Sequence, residues 1–177
     1  MGMAICMVEL TSIARGIETS DDMIKAAQVT LLRGTTVCPG KYMVIVGGET
    51  GAVRAALEAG LAKGGEFIVD SLLIPNVHEQ LFPAIAGTQE VVDPQAIGVV
   101  EFYSIASAIK AADAAAKAAQ VTLIEVRTGY AVGGKGYFTL TGDVGAVRAA
   151  VHRASWHRNP APPAEALPAA LLLTHIW

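Results

Sequence analysis

Two tandem α+β domains, each an antiparallel sheet with helices packed on one face, are predicted by this 177-residue chain. Three observations carry the prediction: an internal repeat, the alternation of helical and strand-like patterning within it, and a tight turn that forces two strands antiparallel. Residues 4–31 lie over 96–123 without a gap, and Ala26-Ala27-Gln28-Val29-Thr30-Leu31 returns letter for letter at Ala118-Ala119-Gln120-Val121-Thr122-Leu123. Gly51-Ala52-Val53-Arg54-Ala55-Ala56 returns at Gly145-Ala146-Val147-Arg148-Ala149-Ala150. Over the 45 paired positions of 4–31 and 40–56, 25 are identical. The offset is 92 residues in the first block and 94 in the second. The shift falls where copy one has eight residues (Leu32 to Pro39) and copy two has ten (Ile124 to Gly133).

Each copy opens with a short apolar stretch, Ala4 to Val8 and Ala96 to Val100, which reads as a buried strand. A helix follows. Ile13, Ile17, Ile24 and Ala27 fall on one face of a 3.6-residue period, and Ile105, Ile109, Ala116 and Ala119 repeat that face, which predicts that it packs inward. Ser12 and Ser104 are placed as N-caps. Val29 to Val37 reads as a strand, and Lys41 to Val46 as its antiparallel return. A second helix is expected from about Gly51 to Lys63, with Val53, Leu57 and Leu61 inward. Phe67 to Val69 and Leu72 to Ile74 read as a strand broken by Asp70-Ser71, and His78 to Phe82 as a short helix. The linker is expected near Gly87 to Pro94, which puts one domain at 1–90 and the other at 95–177.

Composition narrows the class. Apolar residues make up 53% and charged residues 16%. So apolar a chain is expected to hide surface against neighbouring subunits. A net charge of −3 without a basic stripe argues against nucleic acid. No apolar run reaches the roughly 18 residues of a membrane span, and no signal peptide is evident at the N-terminus. Two cysteines make no disulfide framework, and a reducing cytosol is the default compartment.

Few residues suggest chemistry. Gly47-Gly48-Glu49-Thr50-Gly51 lacks the Lys-Ser/Thr of a phosphate loop and reads as a strand-to-helix turn. Glu9 and Glu101 end equivalent strands and are expected to make repeated structural hydrogen bonds. Asp21 and Asp22 read as a solvated helix face, and His78 as a structural histidine. No nucleophile–base set or acid pair emerges. Cys6 lies in an apolar strand and reads as core. Cys38 differs, because it sits in a loop that differs between the two copies, with Val132 its nearest counterpart. A lone cysteine most often simply packs.

The motifs Val8-Glu9-Leu10-Thr11-Ser12-Ile13-Ala14-Arg15-Gly16, Lys25-Ala26-Ala27-Gln28-Val29, Pro39-Gly40-Lys41, Gly48-Glu49-Thr50-Gly51-Ala52-Val53 and Asp70-Ser71-Leu72-Leu73-Ile74-Pro75-Asn76-Val77-His78 occur in order, and several return in the second copy. Together, over roughly 4–154, the chain resembles the tandem-domain, trimer-forming (T-type) bacterial microcompartment shell proteins. The Cys38-Pro39-Gly40-Lys41 loop is similar to the iron–sulfur-carrying propanediol-utilisation branch of that family. The resemblance implies a structural, non-enzymatic protein: a flat pseudohexameric homotrimer that tiles with other shell proteins into a facet around encapsulated enzymes in the cytoplasm. It implies that Lys25 and Lys117 lie at the tile edge. It also implies that Val37, Pro39 and Gly40 of copy one, and Tyr130, Val132, Gly133 and Gly134 of copy two, line the pore.

Under that symmetry three Cys38 thiolates converge on one axis. They would ligate three irons of a [4Fe–4S] cluster and leave the fourth for water or an outside ligand, which suits electron transfer or cluster transport. Pro39 stiffens the loop and Gly40 lets it turn. A single zinc held by three thiolates and water is the alternative chemistry, and an unligated thiol is the plain one. At the level of function the alternatives are a metabolite-conducting pore without a cluster, and a soluble duplicated-domain enzyme or small-molecule sensor.

The tail departs from the pattern from about residue 152. Both tryptophans, three of the four histidines and four of the eight prolines fall after residue 151. Either the copy has diverged or the reading frame has changed. A frame change predicts that a one-base shift near codon 151 restores an Asp-Ser-like strand motif. Without a closing strand a neighbouring strand is left unpaired. Leu171-Leu172-Leu173-Thr174 fills that gap if Pro160 to Pro168 is an extended connector; otherwise the tail is loose. Zinc binding by His152, His157 and His175 fits no standard spacing.

Overall fold

The computed structural model describes residues 3–155 and 170–173. The chain divides after Val77 into two compact units, each built on a four-stranded antiparallel sheet. In the first, β1 (Ala4–Leu10), α1 (Ile13–Ala26), β2 (Thr30–Val37), β3 (Lys41–Gly48), α2 (Thr50–Gly64) and β4 (Ile68–Ile74) give the sheet order β2-β3-β1-β4. A 3₁₀ turn over Gly65–Phe67 is all that joins α2 to β4. Alternate residues of β1 (Ala4, Cys6, Val8, Leu10) and Val44 and Val46 of β3 meet Met23 of α1 and Val53 and Ala56 of α2 in one apolar cluster. Both helices therefore lie on one sheet face, as the alternation predicts. The hydroxyl of Ser12 caps α1 by accepting from the Arg15 N–H, and Ser104 caps its counterpart by accepting from the Ser107 N–H.

Three expectations about this unit need correction. The isoleucine stripe of α1 faces out: Ile13, Ile17 and Ile24 are 40%, 57% and 39% exposed. Ala27 lies beyond the helix as its C-cap. The buried face is Gly16, Thr19, Ser20 and Met23. Small residues win that face because the helix lies too close for larger ones. A Cβ on Gly16 would stand 2.5 Å from the Tyr42 side chain, and the Ser20 hydroxyl turns back to the Gly16 carbonyl at 2.9 Å. On α2, Val53 is buried and Leu57 half-buried, but Leu61 is exposed. Gly60 and Gly64 take the inner positions there, where added Cβ atoms would meet Met23 and Ile68. Finally, β4 runs as one strand through Asp70-Ser71, and its irregularity comes earlier: Asp70 pairs with Glu9 and Ile68 with Leu10, which leaves Val69 as the extra residue.

The second unit contains α3 (Leu81–Ala86), β5 (Ala96–Phe102), α4 (Ile105–Ala118), β6 (Thr122–Thr128), β7 (Gly136–Gly142), α5 (Val144–Ser155) and β8 (Ala170–Leu173), with sheet order β6-β7-β5-β8. The short helix starts later than His78 and runs past Pro83. That proline is tolerated because it falls in the first turn, where the missing N–H has no helical partner. The segment ahead of α3 is fastened to this unit. Gln80 donates to the Val121 carbonyl at 3.1 Å and accepts from the Leu123 N–H at 2.7 Å. The Gln89 N–H, within the expected linker, donates to the Ile124 carbonyl at 2.7 Å. On α4, Ile105 and Ile109 are fully buried.

The closing strand of the second unit is β8. It pairs Val100 with Ala170, Val99 with Leu171, Gly98 with Leu172 and Ile97 with Leu173. In the first unit β4 pairs Val8 with Ser71, Met7 with Leu72, Cys6 with Leu73 and Ile5 with Ile74. With the 92-residue offset, β8 takes the β4 place in the same register. Thr174, the connector Pro160 to Pro168, His157 and His175 lie outside the described residues. One further packing detail separates the units. Where copy one has Gly16 against Tyr42, copy two has Ala108 against Gly136, and a Cβ on Gly136 would stand 2.7 Å from the Ala108 Cβ.

Candidate functional site: two hairpin loops and two helix-end lysines

The β2–β3 hairpin closes at the Val37–Lys41 pair and presents Cys38-Pro39-Gly40 at its tip. Each residue suits its place. Val37 is buried and anchors the base. The Cys38–Pro39 peptide is cis, and Gly40 adopts φ +81, a conformation open to glycine without a Cβ penalty. Pro39 and Gly40 are exposed, and Cys38 is half-buried. Lys41 ion-pairs with Glu9, which is itself buried in β1. The thiol therefore rides on a turn tied at both ends, one by burial and one by a charge pair.

The β6–β7 connection of the second unit is longer and carries no thiol. Positive φ at Gly129, Ala131, Gly133 and Gly134 coils it. Tyr130 is 66% exposed, Val132 is half-buried, and the Val132 carbonyl accepts from the Lys135 N–H at 3.2 Å. Lys135 pairs with Glu101 at 3.3 Å and sits 5.4 Å from the centre of the Tyr103 ring. Glu9 and Glu101 thus do equivalent work, each holding the lysine that follows its own unit's loop. The repeat marks both carboxylates and both lysines, yet reading each alone hides that they are partners.

Lys25 and Lys117 occupy the last turns of α1 and α4, and each pairs with the aspartate one turn earlier at 2.5 Å. The hydrogen bond from Lys25 to Asp21, with the charge of that carboxylate, raises the Lys25 pKa. Asp113 differs from Asp21 in being buried, and its other oxygen accepts from the His78 N–H at 2.7 Å. A shallow groove beside Lys117 is lined by His78, Gln80, Gln120 and Thr122. The imidazole of His78 accepts from the Gln80 N–H at 3.4 Å.

The two cysteines separate by environment. Cys6 is fully buried, and burial pushes its thiol up to about 12, so it stays an inert core group. Cys38 stands half-exposed on its loop. Among the described residues no three His, Cys, Asp or Glu side chains group as metal ligands. One chain contributes at most the Cys38 sulfur at this loop. A polar network that the repeat does not announce gathers at Glu125, which accepts from Arg127 at 2.7 Å, Thr88 at 2.9 Å and Tyr137 at 3.1 Å. Burial drives that carboxyl upward, but the three hydrogen bonds outweigh it and leave its pKa lowered.

A duplicated strand–helix–hairpin–helix–strand unit, with paired hairpin loops and a lysine closing the first helix of each copy, defines a tandem two-domain protein. Residues 4–77 and 96–157 each match the BMC domain, and the chain belongs to the BMC-domain family. It is 47% identical over 155 residues to the bacterial microcompartment shell protein PduT of Citrobacter freundii, covering 88% of this chain and 84% of that one. It is 39% identical over 88 residues to the carboxysome shell protein CsoS1 of Prochlorococcus marinus, 48% of this chain and 85% of that one. A solved microcompartments protein from Desulfitobacterium hafniense superposes with a TM-score of 0.89 at 41% identity, covering 98% of this chain and 95% of that one.

Proposed function

We propose that this chain is a structural shell protein of a bacterial microcompartment, a homotrimeric facet tile whose three Cys38 thiolates hold one [4Fe–4S] cluster at the central pore. The shell role follows from the family and from relatives that are themselves named shell proteins. It makes the protein structural rather than enzymatic and places it in the microcompartment shell in the cytoplasm; that it tiles with other shell proteins around encapsulated enzymes is part of the proposal. A soluble enzyme or sensor has no support beside those relatives. Among the described residues no helix is long and apolar enough to cross a membrane.

Trimer formation draws support from the outward stripe of Ile13, Ile17 and Ile24 on α1 and from the exposed Leu31 and Leu32 on β2. Such surface is covered in a stable assembly. In a pseudohexameric tile, Lys25 and Lys117 stand at the edges, and both hairpin loops face the pore.

One observation carries the cluster reading. The hairpin loop that differs between the copies holds a half-exposed cysteine on a base fixed by Val37 and by the Lys41–Glu9 pair. A fixed, accessible thiol suits a shared metal centre, and three-fold symmetry turns one ligand per chain into three. Bound there, an iron–sulfur cluster supplies one-electron chemistry or a transferable cofactor at the shell boundary. Val37, Pro39 and Gly40 aim the sulfur; Tyr130, Val132, Gly133 and Gly134 shape the rest of the opening. A second reading keeps the tile and gives it a metabolite-conducting pore, favoured by the finding that among the described residues no three ligand-type side chains group together. Zinc in place of the cluster is told apart by the metal found.

Anaerobic purification with iron, zinc and sulfide assays, on wild type and Cys38→Ser, tests this. The expected result is about four irons and four sulfides per trimer, a brown colour, and loss of both in the variant with the trimer intact. A colourless wild-type trimer that forms sheets overturns the cluster and leaves the pore. A monomer by native mass spectrometry overturns the tile.

A further inference from the structure

We propose that the outer edge of β2 is a docking site for a second copy of this chain, recognised through the Val29 carbonyl, the Leu31 N–H and the Leu32 carbonyl. The inference rests on the homotrimer reading and names the backbone groups that meet the neighbouring subunit. It begins with the twin of this edge. In the second unit a segment of the chain itself fills the outer side of β6. The Gln80 side chain donates to the Val121 carbonyl at 3.1 Å and accepts from the Leu123 N–H at 2.7 Å. The Gln89 N–H donates to the Ile124 carbonyl at 2.7 Å. Leu123 is buried under this cover, 2% exposed.

The first unit presents the same groups in the same register. Thr30 pairs with Gly47, Leu31 with Val46 and Arg33 with Ile45, as Thr122 pairs with Thr141, Leu123 with Leu140 and Glu125 with Thr139. Each strand carries its extra residue at the same step, Leu32 in one and Ile124 in the other. The shared register turns the Val29 carbonyl, the Leu31 N–H and the Leu32 carbonyl away from β3, as it turns their counterparts away from β7. Among the described residues no group outside the sheet bonds to any of the three. Leu31 is 45% exposed where Leu123 is covered, and Leu32 is exposed beside it. The neighbouring α1 adds the exposed Ile17 and Ile24.

An open strand edge bordered by apolar side chains is a template for pairing, and a stable protein covers it. The filled edge of the second unit shows what the cover supplies: an amide that donates and accepts at the two inner groups, and an N–H for the bulge carbonyl. It also shows that this sequence contains such a cover. A second copy is therefore a sufficient occupant. In a cyclic assembly each subunit offers its β2 edge to a different surface of the next, so one kind of contact fills the edge in every subunit and closes the ring.

Cross-saturation in a mixed trimer tests the site. Perdeuterated, isotope-labelled chain is reassembled with unlabelled chain, and the protons of the unlabelled copies are saturated. The expected result is loss of amide signal at Leu31 and Leu32, with Leu123, whose edge is filled from within, unchanged. An unaffected Leu31 in a mixed trimer overturns the docking site and leaves the trimer standing. A chain that stays monomeric in native mass spectra overturns the homotrimer reading and the site with it. Substitution then isolates the hydrogen bond. Leu31→Pro deletes the outward N–H at an edge position where proline is tolerated, whereas Leu31→Ala removes the side chain alone. With both variants folded by circular dichroism, the proline variant should dissociate at a roughly tenfold higher concentration than the alanine variant. Equal dissociation of the two overturns the proposed role of the Leu31 N–H. If the proline variant does not fold, the cross-saturation result on the unsubstituted chain decides.

Discussion

Ile17 and Ile109 hold the same place in the two copies and meet opposite surroundings. Ile17 stands outside α1, 57% exposed, while Ile109 is fully buried on α4. The helices share their N-cap serine, their last-turn lysine and the aspartate that pairs with it. They differ in what lies beside them. In the second unit the segment leading to α3 is pinned through His78 and Gln80, and Asp113 of α4 is one of the pins. The equivalent Asp21 is exposed and pairs with Lys25 at the surface. A periodic apolar stripe therefore identifies a face that will be covered, but it does not say by what. In one copy the cover belongs to the chain itself; in the other we assign it to a second subunit.

The strongest way to break the comparison is to charge both stripes. Ile109→Asp should lower folding stability by roughly 4 kcal/mol, because a carboxylate enters a fully buried position. Ile17→Asp should change the stability of the isolated chain by under about 1 kcal/mol yet remove trimers from native mass spectra. Urea denaturation reads the first and mass spectrometry the second. Trimers that survive Ile17→Asp would show that no subunit covers the α1 stripe.

A smaller effect is expected at the paired aspartates. Asp113→Ala strips a buried acceptor from the His78 N–H and from Lys117, and should cost about 2 kcal/mol. Asp21→Ala removes only a surface pair and should stay within about 0.5 kcal/mol. Equal losses in thermal unfolding of the two variants would erase the distinction between the helices.

The smallest effect belongs to pH. Glu125 has no acidic counterpart in the first unit, where Arg33 holds the corresponding rung: Arg33 pairs with Ile45 as Glu125 pairs with Thr139. Its carboxyl is held below the ordinary value in the folded state by Arg127, Thr88 and Tyr137. Its contribution is therefore present above the unfolded pKa and fades as pH falls through the lower, folded one. Glu125→Gln should be less stable than wild type at neutral pH, with the gap closing on acidification in melts taken across that range. A gap that stays constant with pH would remove the charge from the explanation.

Much of this organisation is legible in the chain. The repeat gives the strand and helix order, both serine caps, and the loop that singles out Cys38. The closing strand is legible only as one of two alternatives: Leu171 to Thr174 can fill the β5 edge or the tail can stay loose, and β8 fills it over Ala170–Leu173. What periodicity misplaces is burial. It sends Ile13, Ile17 and Leu61 inward, whereas Gly16, Gly60 and Gly64 take those contacts because helix and sheet approach too closely for a larger side chain. Hydropathy assigns glycine no face, so such positions stay silent until distances are known. The links of His78 and Gln80 to Asp113, Val121 and Leu123 are invisible for a different reason. They join residues far apart in sequence, and no short pattern encodes them.

The exchange of Gly16–Tyr42 for Ala108–Gly136 has an evolutionary consequence. Changing one residue at a time between these two pairs passes through one of two intermediates, alanine with tyrosine or glycine with glycine. Alanine with tyrosine would drive a methyl group into the phenol ring, since the space at Gly16 ends 2.5 Å away. Glycine with glycine leaves merely a void, a loss of a few kcal/mol at most. A stepwise path between the two pairs is therefore cheaper through the emptier intermediate, and relatives with this repeat should include Gly/Gly pairs at these two positions while lacking Ala/Tyr ones.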